Sequence, residues 1–149
     1  MEKRESLMEK RDSLVEELQV IEDPYERLAY IIDLGKQLPP LDEVYKTEIF
    51  RVEGCTSNLW LFPETKGSQC FFHVDSDSAV TKGIGALLSR LYSGQTPGEI
   101  LAVDDKFLSE VGVPQLLSPN RRNGVASLGR KIVEYARMQD SRAKAQVRA

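Results

Sequence analysis

Asn58-Leu59-Trp60-Leu61-Phe62-Pro63-Glu64-Thr65-Lys66-Gly67-Ser68-Gln69-Cys70-Phe71-Phe72-His73-Val74 is the stretch that decides the fold. Two runs rich in aromatic and aliphatic residues, 58–62 and 69–74, flank a cluster of turn formers, 63–68. Such a pattern predicts two strands joined antiparallel by a short connection. Residues 47–52 have similar strand-forming composition and predict a further strand upstream, making three.

On both sides the period is helical. Residues 3–20 place Leu7, Leu14, Leu18 and Ile21 on one face, with Glu, Lys and Arg elsewhere. Asp23-Pro24-Tyr25-Glu26 has the N-cap, first-turn proline and capping-box spacing of a second helix, with Tyr25, Leu28, Ile31 and Ile32 as its apolar face. Pro39-Pro40 ends it, and the two helices are expected to pair. Downstream, Val80, Ile84, Leu87, Leu88 and Leu91 trace a wide apolar stripe, closed at Gly94. Gly83 and Gly85 within that helix suit close packing on a neighbour. Thr96-Pro97-Gly98-Glu99 opens a short helix, 104–111 predicts another, and Ser118-Pro119 opens a long last one whose face is Val125, Leu128, Ile132, Val133 and Ala136. The order helices, strands, helices predicts an α+β fold: a small three-stranded antiparallel sheet with helices on one face. Residues 1–138 read as one domain and 139–149 as a frayed or disordered tail.

Composition narrows function. The 149 residues carry a net charge of −3, so no global basic field favours nucleic acid or anionic membrane. The apolar runs are too short to span a bilayer, and the charged start lacks a signal-peptide core, which predicts a cytoplasmic protein with reduced thiols. Cys55 lies between Gly54 and the small polar pair Thr56-Ser57, a setting that displays a thiol on a loop. Cys70, inside an apolar strand, reads as a packing residue. A disulfide between them is geometrically possible but disfavoured by the compartment. His73 is the only histidine. A Cys-His hydrolase would need it as partner, yet no oxyanion-hole motif accompanies it. Two cysteines and one histidine without tight spacing argue against a metal site. Asp75-Ser76-Asp77-Ser78 suits a helix N-terminus, and a calcium loop is excluded because Val80 and Ala86 fall where Gly and Glu are required. Arg121 and Arg122 sit at a helix N-terminus, where cations oppose the macrodipole. That placement suggests pairing with an acid, or positive charge beside a thiolate.

Three segments carry a family resemblance. Val52-Glu53-Gly54-Cys55-Thr56-Ser57-Asn58-Leu59-Trp60 resembles the V-x-G-C-x-S-x-V-W signature of the SufE family. Residues 75–84 resemble its D-S-D-A-x-I-V-K-G-L segment, and 117–124 its L-T-P-S-R-x-x-G segment. Leu59, Ser78, Ser118 and Asn120 depart mildly from the pattern, and none touches the cysteine. The resemblance implies a fold similar to IscU-type scaffolds and a sulfur acceptor with no cofactor of its own. Cys55 would take a persulfide sulfur from a SufS-type, pyridoxal-phosphate-dependent cysteine desulfurase and pass it to SufBCD-type iron–sulfur scaffold proteins. Arg121 would stabilise the thiolate or contact the partner, and Asp77 would position the cysteine loop or cap a helix. The competing readings are an allosteric module that regulates a desulfurase, with Cys55 incidental, and an iron–sulfur scaffold on the same fold.

Overall fold

Leu59 and Leu61 of strand β1 (Leu59–Lys66) and Cys70, Phe72 and Val74 of strand β2 (Gln69–Ser76) alternate with less buried residues, so one face of the hairpin enters the core. A computed structural model describes residues 5–54 and 56–148. Its β1 and β2 pair antiparallel with Leu61 opposite Val74 and Lys66 opposite Gln69, leaving a two-residue loop. Gly67, first in that loop, has φ +62°, a conformation that glycine adopts without strain. The turn is therefore shorter than the 63–68 cluster suggested. Pro63 lies inside β1, opposite Phe72. The Leu59 carbonyl accepts from the Val52 amide on the outer edge, at 2.8 Å. Alternation puts residue 63 on that same edge, where a missing N–H costs no ladder bond.

The sheet has two strands, not three, among the described residues. The expected strand at 47–52 is instead a 3-10 turn, Glu48–Phe50, with one isolated bridge from Arg51 to Trp60. Its apolar residues do not alternate: Ile49 and Phe50 are adjacent, so a straight strand cannot bury both. The turn points Phe50 edge-on at Phe62, centroids 5.2 Å apart, and leaves Ile49 86% exposed.

The described residues form six α-helices, of which α3 and α6 pack on the hairpin: α1 (Leu7–Gln19), α2 (Pro24–Gln37), α3 (Ala79–Tyr92), α4 (Pro97–Ala102), α5 (Phe107–Glu110) and α6 (Pro119–Arg148). Ser6 and Glu9 form a capping box on α1, and Thr96 and Glu99 form one on α4. Asp23 caps α2 through the Tyr25 amide, without a box. Tyr25 stands 76% exposed rather than in the core. Arg11 is buried, and its guanidinium bonds Glu110 at 2.7 Å and Asp104 at 3.4 Å, fixing α1 to the segment around α5.

The main partner of α2 is α3, not α1. Two glycines allow it. A Cβ on Gly83 would lie 2.6 Å from the Ile31 carbonyl oxygen, and one on Gly35 would lie 2.7 Å from the Gly83 Cα. The helix backbones touch there. Gly85, further along α3, faces Val74 of the sheet. Helix α6 covers the remaining core edge with Val125, Leu128, Ile132 and Ala136. It continues as helix through Arg148, where the polar composition had suggested a frayed tail. No helix among the described residues is long and apolar enough to cross a membrane.

Asp75, at the end of β2, is 4% exposed. Its carboxylate accepts from the Leu41 amide (2.9 Å) and the Ser76 amide (2.8 Å), and pairs with Lys46 (3.2 Å) and Lys82 (3.3 Å). Burial disfavours the charged form, but these four donors outweigh it and hold the pKa below the ordinary 3.8. A depressed folded-state pKa stabilises the fold above the unfolded value, and that stabilisation is lost as pH falls through the folded one. Asp75→Asn is expected to cost about 2 kcal/mol in urea unfolding at pH 7. The difference from wild type should shrink as pH drops below 3.8. Gly83→Ala is expected to lower stability by about 2 kcal/mol or more, because the methyl meets backbone that cannot yield. Its unfolding midpoint provides the check.

Candidate functional site

Cys55 lies outside the described residues, while the residues that flank it on both sides are described. On the upstream side Val52 is buried and its amide is bonded to Leu59. Gly54 takes φ +89° and lies against α6: a Cβ there would meet the Ser127 hydroxyl at 3.1 Å and the Asn123 carbonyl at 4.0 Å. Glycine is thus required twice, for its backbone angle and for its close approach. On the downstream side Asn58 is held through its backbone and its side chain. Its amide donates to Asp77 Oδ1 at 3.1 Å and its side chain to Asp77 Oδ2 at 3.0 Å. Its carbonyl accepts from the Ser76 hydroxyl at 2.7 Å and the Asp77 amide at 3.3 Å. The chain is thus held upstream of residue 55 at Val52 and at Gly54, which lies against α6, and downstream of it at Asn58.

Arg121 reaches the same region from α6. Its guanidinium donates to Ser78 Oγ at 2.9 Å. Ser78 is the N-cap of α3 and also accepts from the Thr81 amide at 3.3 Å. Ser118 Oγ accepts the Arg121 amide at 3.3 Å, capping the start of α6. One arginine thus joins two helix N-termini, each carrying partial positive charge. Its partner is a hydroxyl, not the acid its position suggested. Asp77 does not cap α3, since Ser78 does, and it holds Asn58 instead. Sequence reasoning missed Asn58, Ser78 and Ser127 as members of this cluster. Only Ser78 had a signal, as one letter of a helix start.

The other two candidates stand apart. Cys70 is fully buried, its amide bonded to the Gln95 carbonyl at 2.8 Å. Burial pushes its thiol pKa up against a smaller opposing hydrogen bond with Thr65. His73 Nε2 sits 2.6 Å from Glu64 on the exposed face, stacked near Phe62. Among the described residues no group of three His, Cys, Asp or Glu side chains is placed to hold a metal ion.

An α+β domain with a glycine turn seated against a long last helix is the class that these features define. The family model of the Fe-S metabolism associated domain, SufE, matches residues 12–136, and the chain belongs to the SufE family. It is 34% identical over 129 residues to an uncharacterised SufE-like protein of Rhizobium etli, covering 83% of this chain and 87% of that one. It is 37% identical over 113 residues to the chloroplastic/mitochondrial SufE-like protein 1 of Arabidopsis thaliana, covering 74% of this chain and 30% of that longer one. In fold it is similar to the solution structure of a hypothetical protein from Thermus thermophilus. That likeness has a TM-score of 0.74 at 17% identity and covers 89% of this chain and 96% of the other.

Asp77→Ala should free the Asn58 amide without unfolding the domain. Hydrogen exchange at Asn58 is expected to rise about fivefold or more, equivalent to roughly 1 kcal/mol of lost bonding. The Val52 amide, bonded to Leu59, should keep its protection.

Proposed function

We propose that this chain is a sulfur acceptor in iron–sulfur metabolism, with Cys55 as the acceptor thiol. The observation that carries the reading is the anchoring of the chain on either side of Cys55, at Val52 and at Asn58, the latter held by Asp77, whose neighbour Ser78 receives Arg121. Positive charge near a thiol favours the thiolate, the form that attacks sulfur. The donor is the persulfide of a SufS-type cysteine desulfurase. The Cys55 thiolate attacks its outer sulfur, a new S–S bond forms on Cys55, and the desulfurase cysteine departs as thiolate and takes up a proton. No electrons are gained or lost overall. The carried sulfur then passes, by a second exchange, to a SufBCD-type scaffold. Arg121 stabilises the thiolate, and Asp77 keeps the downstream end of the loop in place.

Incubation with a cysteine desulfurase and cysteine tests the reading. Wild type should stimulate sulfide release and gain mass in steps of about 32 Da on Cys55, and Cys55→Ser should do neither. Full stimulation by Cys55→Ser would leave an allosteric module as the better account. Arg121→Ala should slow alkylation of Cys55 at pH 7 by about threefold or more while the thermal midpoint changes little. Cys70 is fully buried, so the alkylation reports Cys55. An unchanged alkylation rate would remove Arg121 from the site.

A further inference from the structure

On the flank of α6 away from Gly54 runs a half-open groove of about 660 Å³. Its floor is apolar: Leu108, Leu117, Val125 and Val133 come from α5, the turn before α6, and α6 itself. The spacing of Val133 puts it on the helix's apolar face, yet it is only half-buried, because no element of the described chain covers it. Gly129 lies in the middle of the same flank, and a Cβ there would meet nothing within 4 Å. A mid-helix glycine is unfavourable, and its common reason is close approach of another backbone. Nothing in the described chain makes that approach.

Basic residues outnumber acids along the groove's edge, three to two. Arg122, Arg130 and Arg137 all line it, spaced eight and seven residues apart, which keeps them within a sector of about 80° on the helix. None makes an ion pair with a described residue, and Arg130 donates only to Ser127 Oγ, at 2.9 Å. Two acids, Asp105 and Glu134, also line the groove. From Arg122 to Arg137 the stripe extends about 22 Å at 1.5 Å per residue. A groove of that length, apolar from Val125 to Val133 and with three arginines along it that no described acid pairs, matches a helix of about four turns bearing leucine-like anchors and carboxylates.

We infer that this groove docks an acidic amphipathic helix of a partner protein, with its apolar face on Val125 and Val133 and its backbone close to Gly129. The arginines supply orientation and salt-dependent attraction. The inference stands independently of the sulfur-transfer reading, since it uses neither Cys55 nor Arg121.

The probe is a fluorescent 16-residue peptide with Leu at i, i+3, i+4 and i+7 spacings and Glu elsewhere, titrated against the full chain by anisotropy. A copy with every Glu replaced by Lys is the control. Saturable binding of the acidic peptide is expected, weakening at least tenfold in 0.5 M salt, with at least tenfold preference over the basic copy. Gly129→Leu fills the trough with a better helix former and meets no neighbour. It should abolish peptide binding while the thermal midpoint holds or rises. Arg130→Glu combined with Arg137→Glu should weaken the acidic peptide and strengthen the basic one. Absence of saturable binding, equal binding of the two peptides, or undiminished binding by Gly129→Leu would overturn the proposal. So would a dimer in sedimentation that Gly129→Leu dissolves, which would assign the groove to a second copy. Saturable laurate binding without peptide binding would assign it to a small amphiphile.

Discussion

Four consecutive polar residues, Asp75-Ser76-Asp77-Ser78, tie together the 38–46 connection, the start of β1, α3 and α6. Asp75 ties the 38–46 connection to α3 through Leu41, Lys46 and Lys82. Ser76 and Asp77 grip Asn58 where the cysteine loop returns to the sheet. Ser78 starts α3 and receives Arg121 from α6. Each group is largely satisfied by backbone or charged partners, which makes burial of Asp75 tolerable. Cutting this knot would release the loop, the helix start and the arginine together.

The knot works because the helices bring their ends to it at fixed heights. Contact between the α2 and α3 backbones at Gly35 and Gly83 sets the first of these heights. Gly85 lets α3 sink onto Val74, so the end of β2 and the start of α3 meet without a long connection. Helix α6 then crosses with Leu128 and Ile132 fully buried, which aims Arg121 at Ser78 and Ser127 at Gly54. Packing of small residues therefore controls the electrostatics of the site, although none of the glycines takes part in chemistry.

The two flanks of α6 differ in character. One meets the loop through Asn123 and Ser127, close to two helix N-termini that favour an anion. The other offers an apolar trough edged with arginine. A single helix can carry both because its side chains project in all directions at 3.6 residues per turn. The proposed chemistry and the inferred docking can then be tested separately.

Much of this was legible in the residues themselves. Caps at Asp23, Thr96 and Ser118, the apolar stripe of α3 and the close-packing glycines are local or periodic signals, and they survive folding because the tertiary structure agrees with them. The cysteine motif and the family were legible for the same reason: they are matters of order along the chain. Three features were not. Residues 47–52 have strand composition, but adjacent Ile49 and Phe50 cannot share one face, and the aromatic cluster with Phe62 turned the chain instead. Tyr25 fits an apolar stripe, yet α2 rotates toward Gly83 and leaves it in solvent. For Arg121 the sequence offered an acid or a thiolate as partner, and among the described residues its guanidinium meets the Ser78 hydroxyl. In each case the outcome depends on what another element, distant in sequence, presents at short range. By itself the order of residues determined most of the elements, the cysteine motif and the family. Tertiary packing alone decided which side chains meet, because a contact between residues 78 and 121 is the sum of two helix positions that no local pattern encodes.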